Sequence, residues 1–500
     1  MTTRTDPADL GAVEARALIG RRALSSEELA RACIARVKAV DHAVNALVAR
    51  DFDRVIEGAR VADAAQARGE PLGPLHGLPV AIKDMNDVAG LPTTFGSEIF
   101  AKNVPTRDDR LVAGLRAAGA LPLGKTNNPE WSAGANTRNR VYGVTANPHD
   151  VTRNCGGSSG GSAVALACGY APLASGSDLG GSLRTPAAYC GVVGFRPSAG
   201  VVPGPVRATA LLPQPTSGPM ARSVADAALM LSVMAAPDGD DPFTPVLDGR
   251  TPWEPGDFAV LQPRDLSALR VATTEDFGFA PVERATREAF RAGVSVLAPA
   301  FGVLEERTPD CRGADRIFSV LRATMFLATH AKFVDETPEL VGPNVTDNVI
   351  EGRGYSAADV AEALVLQGEY HRRWRAFFET CDVLIAPAVS VTPRDWHEFW
   401  PRRIDDIETE SYYHWLAMAY AATIPGHPAI TVPCGRDANG MPFGLQIIGK
   451  RHGDAELLSV AAGIEALIAA QPDLAPRAPD IDALSAAPAL SGAAAFLDIG

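Results

Sequence analysis

One lysine and two serines lie in glycine-lined settings where a nucleophilic site could be built without a histidine. Gly77-Leu78-Pro79-Val80-Ala81-Ile82-Lys83-Asp84 ends an apolar run on Lys83. Gly156-Gly157-Ser158-Ser159-Gly160-Gly161-Ser162-Ala163 carries the first serine, and Asp178-Leu179-Gly180-Gly181-Ser182-Leu183-Arg184 the second. Nucleophilic attack on a carbonyl requires a nucleophile, a base and donors for the developing oxyanion. The glycines before Ser182 let the N–H groups of Leu179, Gly180, Gly181 and Ser182 curl into a nest that favours negative charge. Lys83 acts as a base only when neutral, and burial at a strand end disfavours its charged form. A nearby cation such as Arg184 would lower its pKa further. Asp178 and Arg184 read as scaffolding for the nest, and Ser159 and Ser162 as residues that shape the loop.

Other chemistries use less of this pattern. Gly156-Gly157-Ser158-Ser159-Gly160 also satisfies the nucleophile elbow G-x-S-x-G, which would need an acid and a histidine later in the chain. His330, His371, His397, His414, His427 and His452 are available, none in a distinctive context. The glycine blocks lack the Lys-Ser/Thr ending of a phosphate-binding loop. There is no H-E-x-x-H and no Cys/His cluster, so neither a metal nor a cofactor is expected.

The elements that must carry these residues follow from periodicity and caps. Ser25-Ser26-Glu27-Glu28 predicts a capped helix start, with Leu29, Cys33 and Val37 at helical spacing. A second helix is predicted over 52–68, and Val80 to Lys83 is a short buried strand. Thr106 is read as the cap of a helix through Leu115. Leu121–Leu123 and Leu269–Thr273 read as strands, and so does the run from Asp382 to Pro387. Ser223 opens one helix, and a long amphipathic helix follows from about Val282. Strands alternating with helices predict α/β layering around one sheet. Phe318, Leu321, Met325 and Phe326 cluster on a helix that could wall a pocket, ordinary core packing being an equal alternative for each. Beyond about residue 470, Pro472, Pro476, Pro479 and Pro488 mark a linker-like tail, weakly ordered unless it docks.

With both serine blocks at residue offsets of 75 and 24 from the preceding lysine and serine, the sequence resembles the amidase signature family, whose catalytic unit is a Ser–cis-Ser–Lys triad. Gly124-Lys125-Thr126-Asn127-Asn128-Pro129-Glu130-Trp131, Gly218-Pro219-Met220-Ala221-Arg222-Ser223, Pro428-Ala429-Ile430-Thr431-Val432-Pro433 and Pro442-Phe443-Gly444-Leu445-Gln446-Ile447-Ile448-Gly449 extend the resemblance. It runs from about residue 10 to about residue 470. It implies one domain over 1–470, with an N-terminal helical segment over 1–70, a substrate-pocket region over 312–425 and a tail over 471–500. The implied fold is α/β, a single large mixed sheet covered by helices on both faces. The implied roles are Ser182 as nucleophile, Ser158 as bridge behind a cis Gly157–Ser158 peptide, and Lys83 as base. The turn Leu179-Gly180-Gly181-Ser182 would be the oxyanion hole, and Trp131, Phe318, Leu321 and Met325 are the pocket candidates.

The resulting expectation is a hydrolase of apolar or aryl amides acting through an acyl-enzyme, with carbamates and esters also open. Two rivals stand beside it. The family includes the glutamine-hydrolysing subunit of tRNA-dependent amidotransferases, which holds the substrate ammonium with an aspartate before the Pro-Ala-Ile element. The segment here, His414-Trp415-Leu416-Ala417-Met418-Ala419-Tyr420, has no acid. The other rival is a non-catalytic binding protein on the same fold, against which the intact lysine and serines speak. One departure from the family is Pro215, where many relatives carry an aspartate just before Thr-x-Gly-Pro. The support around Arg184 is therefore expected to be built differently.

Composition narrows the partners. The 500 residues carry a net charge of −13 and show no basic run, which argues against a nucleic-acid footprint and a polybasic membrane patch. Ala163 to Ala174 is too short, and too marked by glycine and proline, to span a bilayer. Seven cysteines without a C-x-x-C read as reduced thiols in a cytoplasmic protein, Cys155 and Cys168 being small core residues. No basic start followed by an apolar stretch suggests a signal peptide. The expected partner is a small-molecule amide substrate, with a homodimer left open.

Overall fold

The apolar runs come together as eleven strands of one sheet in the computed structural model, which describes residues 6–204, 209 and 212–498. The extreme ends of the predicted N-terminal segment and tail lie outside these residues. In chain order the strands are β1 (Leu47–Ala49), β2 (Pro79–Lys83), β3 (Leu121–Thr126), β4 (Leu173–Asp178), β5 (Val193–Arg196) and β6 (Thr216–Ala221). They continue with β7 (Arg270–Thr273), β8 (Val303–Glu306), β9 (Val383–Pro387), β10 (Ala429–Arg436) and β11 (Pro442–Ile448). Across the sheet the order is β1-β3-β2-β4-β6-β5-β10-β11-β9-β7-β8. β2 runs parallel to β3 and β4, and β7 parallel to β8 and β9. From β4 through β6, β5, β10 and β11 to β9 the pairing is antiparallel.

Helices cover both faces, and the inner strands β2, β9 and β11 bury every residue. Alternation sends Val80, Ile82, Ile430, Leu445 and Ile447 to one continuous core. The opposite face has two cores. Ala81, Leu123 and Ala174 meet the helices Ser26–Val44 and Gly160–Ala167, whereas Leu384, Ala386 and Ala429 meet Ala314–Glu336, Ala357–Phe377 and Ala417–Thr423. Lys83 and both serine blocks lie where the first of these cores approaches the second. Ala314–Glu336 has the length and hydropathy of a bilayer span, yet Ile317, Phe318, Val320 and Leu321 are packed into the protein.

Several predicted boundaries hold closely. Ser25 caps Ser26–Val44 through a reciprocal bond with Glu28, and Ser223 caps Val224–Met234. Thr106 does not cap a helix. The helix there is Arg110–Ala117, and its cap is Asp109, which accepts the N–H of Val112 at 2.9 Å. The preceding residues are held as a loop, because Asp108 takes the N–H of Ala89 while Asp109 also binds Asn86.

The proline-marked tail docks. Gly435 N–H donates to Leu474 O at 2.7 Å, Ala487 O meets His42 at 2.9 Å, and Val144 N–H donates to Phe496 O at 3.1 Å. The short helix Ile481–Ala486, capped by Asp480, places Leu484 against the Ser26–Val44 layer at 5% exposure. Leu484→Ala should therefore cost about 2 kcal/mol of stability, seen as a lower denaturation midpoint. An unchanged midpoint would mean that this contact contributes nothing.

Candidate active site

Lys83 ends β2, and its surroundings are almost wholly hydroxylic. The side chain is fully buried, and Nζ donates to Ser158 Oγ at 2.6 Å, Ser159 Oγ at 3.0 Å and Ser177 Oγ at 3.0 Å. Its backbone N–H donates to Ser175 Oγ at 3.0 Å. Burial brings the ammonium down to about 7, with the negative charge of Asp178 pulling the other way. Arg184 does not add to the depression as expected. Its charge is paired with Asp178, and the charge that reaches Lys83 is the aspartate's.

The first serine block wraps this amine. The Gly157–Ser158 peptide is cis and Ser158 is fully buried. Ser159 N–H donates to Ser182 O at 3.2 Å and so ties the two blocks together. The helix Gly160–Ala167 then leaves the site. Gly161 has no space for a side chain there, since a Cβ would stand 2.4 Å from Asn127 N. Ser162 donates to Ser175 O and shares a hydrogen bond with Thr126. It is a brace, as its place in the sequence suggests.

The second block is shaped by Asp178 at the end of β4. Its Oδ1 accepts the Gly181 N–H at 2.9 Å, and its Oδ2 the Leu183 N–H at 3.1 Å. Gly181 has φ +105°, and a Cβ on it would come within 2.5 Å of Ala419 Cβ. Its N–H is thus turned inward to the carboxylate, while Leu179, Gly180 and Ser182 make no such bond to Asp178. Arg184 uses all five of its donors: two on Asp178, at 2.8 and 3.0 Å, and the others on Ala419 O, Gln446 Oε1 and Thr423 Oγ1. Burial alone would raise the Asp178 carboxyl, but Arg184, Arg196 and the turn N–H groups hold it well below the usual carboxylate range. The network thus closes without a carboxylate at Pro215. Gln446 and Thr423 complete Arg184, and Gln214 O accepts from Arg196 at 2.8 Å.

Ser182 is half-buried, whereas Lys83 and Ser158 are sealed from solvent. Among the described residues its Oγ has no hydrogen-bond partner, which leaves it open toward an incoming group. Among the described residues no histidine hydrogen-bonds Ser158. His330 is engaged by Thr329, His371 by Pro425 O, His397 by Asp395 and His427 by Gly449 O. Ser177 and Gln446 are the site residues that the sequence reading passed over. A signal existed for Ser177: Ser175-Gly176-Ser177-Asp178 puts serines two apart on a strand that runs into the second block.

The four pocket candidates separate. Phe318 abuts the nucleophile turn, since a Cβ on Gly180 would stand 3.1 Å from its Cζ, and its ring stacks on Tyr420 at 4.2 Å. Leu321 is core on the same helix. Trp131 stacks on Phe333 at 5.4 Å and joins Met325 and Phe326 in a small aromatic cluster nearby. A cavity of about 840 Å³ begins beyond Tyr420 and is lined by none of these four.

Comparison with known proteins shows the family to which the chain belongs. A family model described as Amidase matches residues 28–458. An acylamidase of Rhodococcus erythropolis is 35% identical over 461 residues, covering 92% of this chain and 95% of that protein. One chain of the glutamyl-tRNA(Gln) amidotransferase of Salinispora arenicola is 34% identical over 497 residues, covering 93% of this chain and 98% of that one. Among solved structures, a bacterial aryl acylamidase of the amidase signature enzymes superposes with a TM-score of 0.85 at 25% identity, covering 96% of this chain and 99% of that one.

Asp178→Ala would leave Arg184 buried without its counter-charge. The expected cost is about 3–5 kcal/mol, measured as a large fall in the denaturation midpoint. A fall below about 1 kcal/mol would show that the pair does not hold the turn.

Proposed function

The chain belongs to the amidase family and is an amide-hydrolysing enzyme, and from that premise we propose that it cleaves carboxamide C–N bonds through an acyl-enzyme on Ser182. The observation that carries this reading is the 2.6 Å hydrogen bond from Lys83 Nζ to Ser158 Oγ, made by an amine whose pKa lies at about 7. A free lysine titrates near roughly 10.4 and is almost wholly charged at neutrality. Here a sizeable fraction is neutral and able to accept a proton.

In this reading Ser182 Oγ attacks the scissile carbonyl as its proton passes to Ser158 Oγ, whose own proton moves to Lys83 Nζ. In the same reading the N–H groups of Leu179, Gly180 and Ser182 stabilise the developing oxyanion, that of Gly181 being already taken by Asp178. Losing one such donor typically costs on the order of 100- to 1000-fold in rate. When the tetrahedral adduct collapses, the proton returns along the same path to the departing nitrogen, and the free amine leaves. Water then attacks the acyl-Ser182 ester, with Lys83 and Ser158 again taking its proton, and releases the acid. Asp178 and Arg184 act by positioning the turn.

Aryl or apolar amides suit the ring of Phe318 beside Gly180, and the acylamidase and aryl acylamidase likenesses support that class. Activated carbamates and esters fall within the same chemistry. The amidotransferase reading is favoured by a relative of nearly equal identity. Against it, the segment where the glutamine-hydrolysing relatives carry their aspartate here presents Ala419 to Gly181 and Tyr420 to Phe318. Turnover of glutamine in preference to aryl amides would select it. A cytoplasmic location belongs to the same proposal, and seven buried, unpaired cysteines support it.

Ser182→Ala should reduce amide turnover to below about 1% of wild type while substrate binding persists, the loss typical of a covalent nucleophile. A fluorophosphonate should label Ser182, and a label on Ser158 would favour the elbow reading. The pH profile tests the base. Because the neutral amine is the active form, kcat/KM should rise with pH through an apparent value near 7, a property of the coupled site. Lys83→Ala should remove that limb and depress amides more than activated esters, whose leaving groups need less protonation. A limb that survives the substitution would assign the base elsewhere.

A further inference from the structure

The 840 Å³ cavity is separated from the nucleophile turn by one stack of rings, Phe318 against Gly180 and Tyr420 against Phe318. Its lining is chemically one-sided. Five carboxylates face it, those of Asp315, Asp347, Glu351, Glu408 and Glu410, against two guanidinium groups. Arg316 is paired with Asp359, whereas Arg402 lies 3.7 Å over the Trp400 ring and its charge acts on Asp347. Glu351 is fixed in place, since the hydroxyls of Tyr355 and Tyr413 each donate to its Oε1 at 2.8 Å.

A second observation points to what the space would hold. Asn348 lies three residues before Glu351 on the helix Pro343–Gly354 and so shares its face. It is 1% exposed and lines the same cavity. Its Nδ2 donates to Asn344 O at 2.6 Å and to the Tyr412 hydroxyl, but among the described residues its Oδ1 has no donor. Buried amide oxygens are nearly always satisfied. One left open beside a fixed carboxylate calls for an N–H that also carries positive charge.

We propose that this cavity binds an organic ammonium group of the substrate, seated between Glu351 and Asn348, and so selects amides that carry a cation about one aromatic ring away from the scissile bond. The inference rests on Ser182 being the nucleophile that cleaves amides. It adds to that reading a charge requirement that an apolar pocket would not impose.

Two matched substrate pairs test it. Para-(aminomethyl)acetanilide against para-ethylacetanilide places the cation on the amine side. The anilide of para-(aminomethyl)benzoic acid against that of para-ethylbenzoic acid places it on the acyl side. In at least one pair kcat/KM should favour the cation by about tenfold or more, chiefly through KM, as a hydrogen bond to a charged group typically gives. Glu351→Gln, which keeps an acceptor for both tyrosines, and Asp347→Asn, at an exposed position, should each lower that ratio several-fold. A ratio near one in both pairs, with the neutral anilides turned over by wild type, would overturn the inference alone. A preference that survives both substitutions would do the same. No turnover of any of the four would overturn the aryl-amide reading and this inference with it.

Discussion

The buried pair of Asp178 and Arg184 is the interaction on which the rest of the site depends. Both side chains are removed from solvent, and such pairs stabilise only where every remaining donor and acceptor is matched. Here the matching is extensive. The carboxylate holds two N–H groups of the serine turn, and the guanidinium reaches β11 through Gln446 and the Ala417–Thr423 helix through Thr423 and Ala419. One ion pair therefore joins the end of β4, the turn that carries Ser182, the far side of the sheet and the helix that brings Tyr420 to Phe318. A shift of any of these elements would leave a buried charge or amide unsatisfied, which is why the turn has one geometry.

Lys83 and Lys125 show how partners set the chemistry of the same side chain. Both are 0% exposed, on adjacent strands β2 and β3. Lys125 lies 2.9 Å from the Asp84 carboxylate and donates to Thr93 Oγ1, so its positive charge is matched. Burial lowers its pKa, and Asp84 opposes that shift most strongly. Among the described residues Lys83 Nζ hydrogen-bonds only hydroxyl groups, and Asp178 acts on it without a direct bond. A charged amine surrounded by neutral hydroxyls is poorly solvated. The site thus favours the free base without a neighbouring cation to repel the proton, and the fold needs only to keep water and carboxylates away from Nζ.

Around this rigid centre lie the helices Ala314–Glu336, Pro343–Gly354 and Ala357–Phe377. Their residues divide between core, as with Leu321, and cavity lining, as with Glu351. The aromatic groups are layered from Gly180 outward, Phe318 then Tyr420. The reacting turn meets a ring, and polar groups come only beyond it.

The candidate groups for the chemistry stand out in the sequence because they depend on local rules. A lysine closing an apolar run, glycines where φ must be positive or the backbone approached, and serines inside those glycine blocks can all be recognised without knowing their neighbours. Caps such as Ser25 and Ser223 are equally local, and the exception at Thr106 arose where loop contacts from Asp108 and Asp109 overrode the nearer cap. What the chain alone left open was every relation between distant segments. It did not show that Gln446 and Thr423 would replace the aspartate missing at Pro215, that Asp178 would be the charge felt by Lys83, that Trp131 would stack on Phe333, or that the proline-rich tail would pack on the first helices. These contacts join residues up to several hundred positions apart, and one candidate partner differs from another only in direction and distance. Side-chain identity fixes what a group can do, whereas packing of the sheet and its helices decides which groups meet, how dry the meeting place is and therefore which proton is mobile.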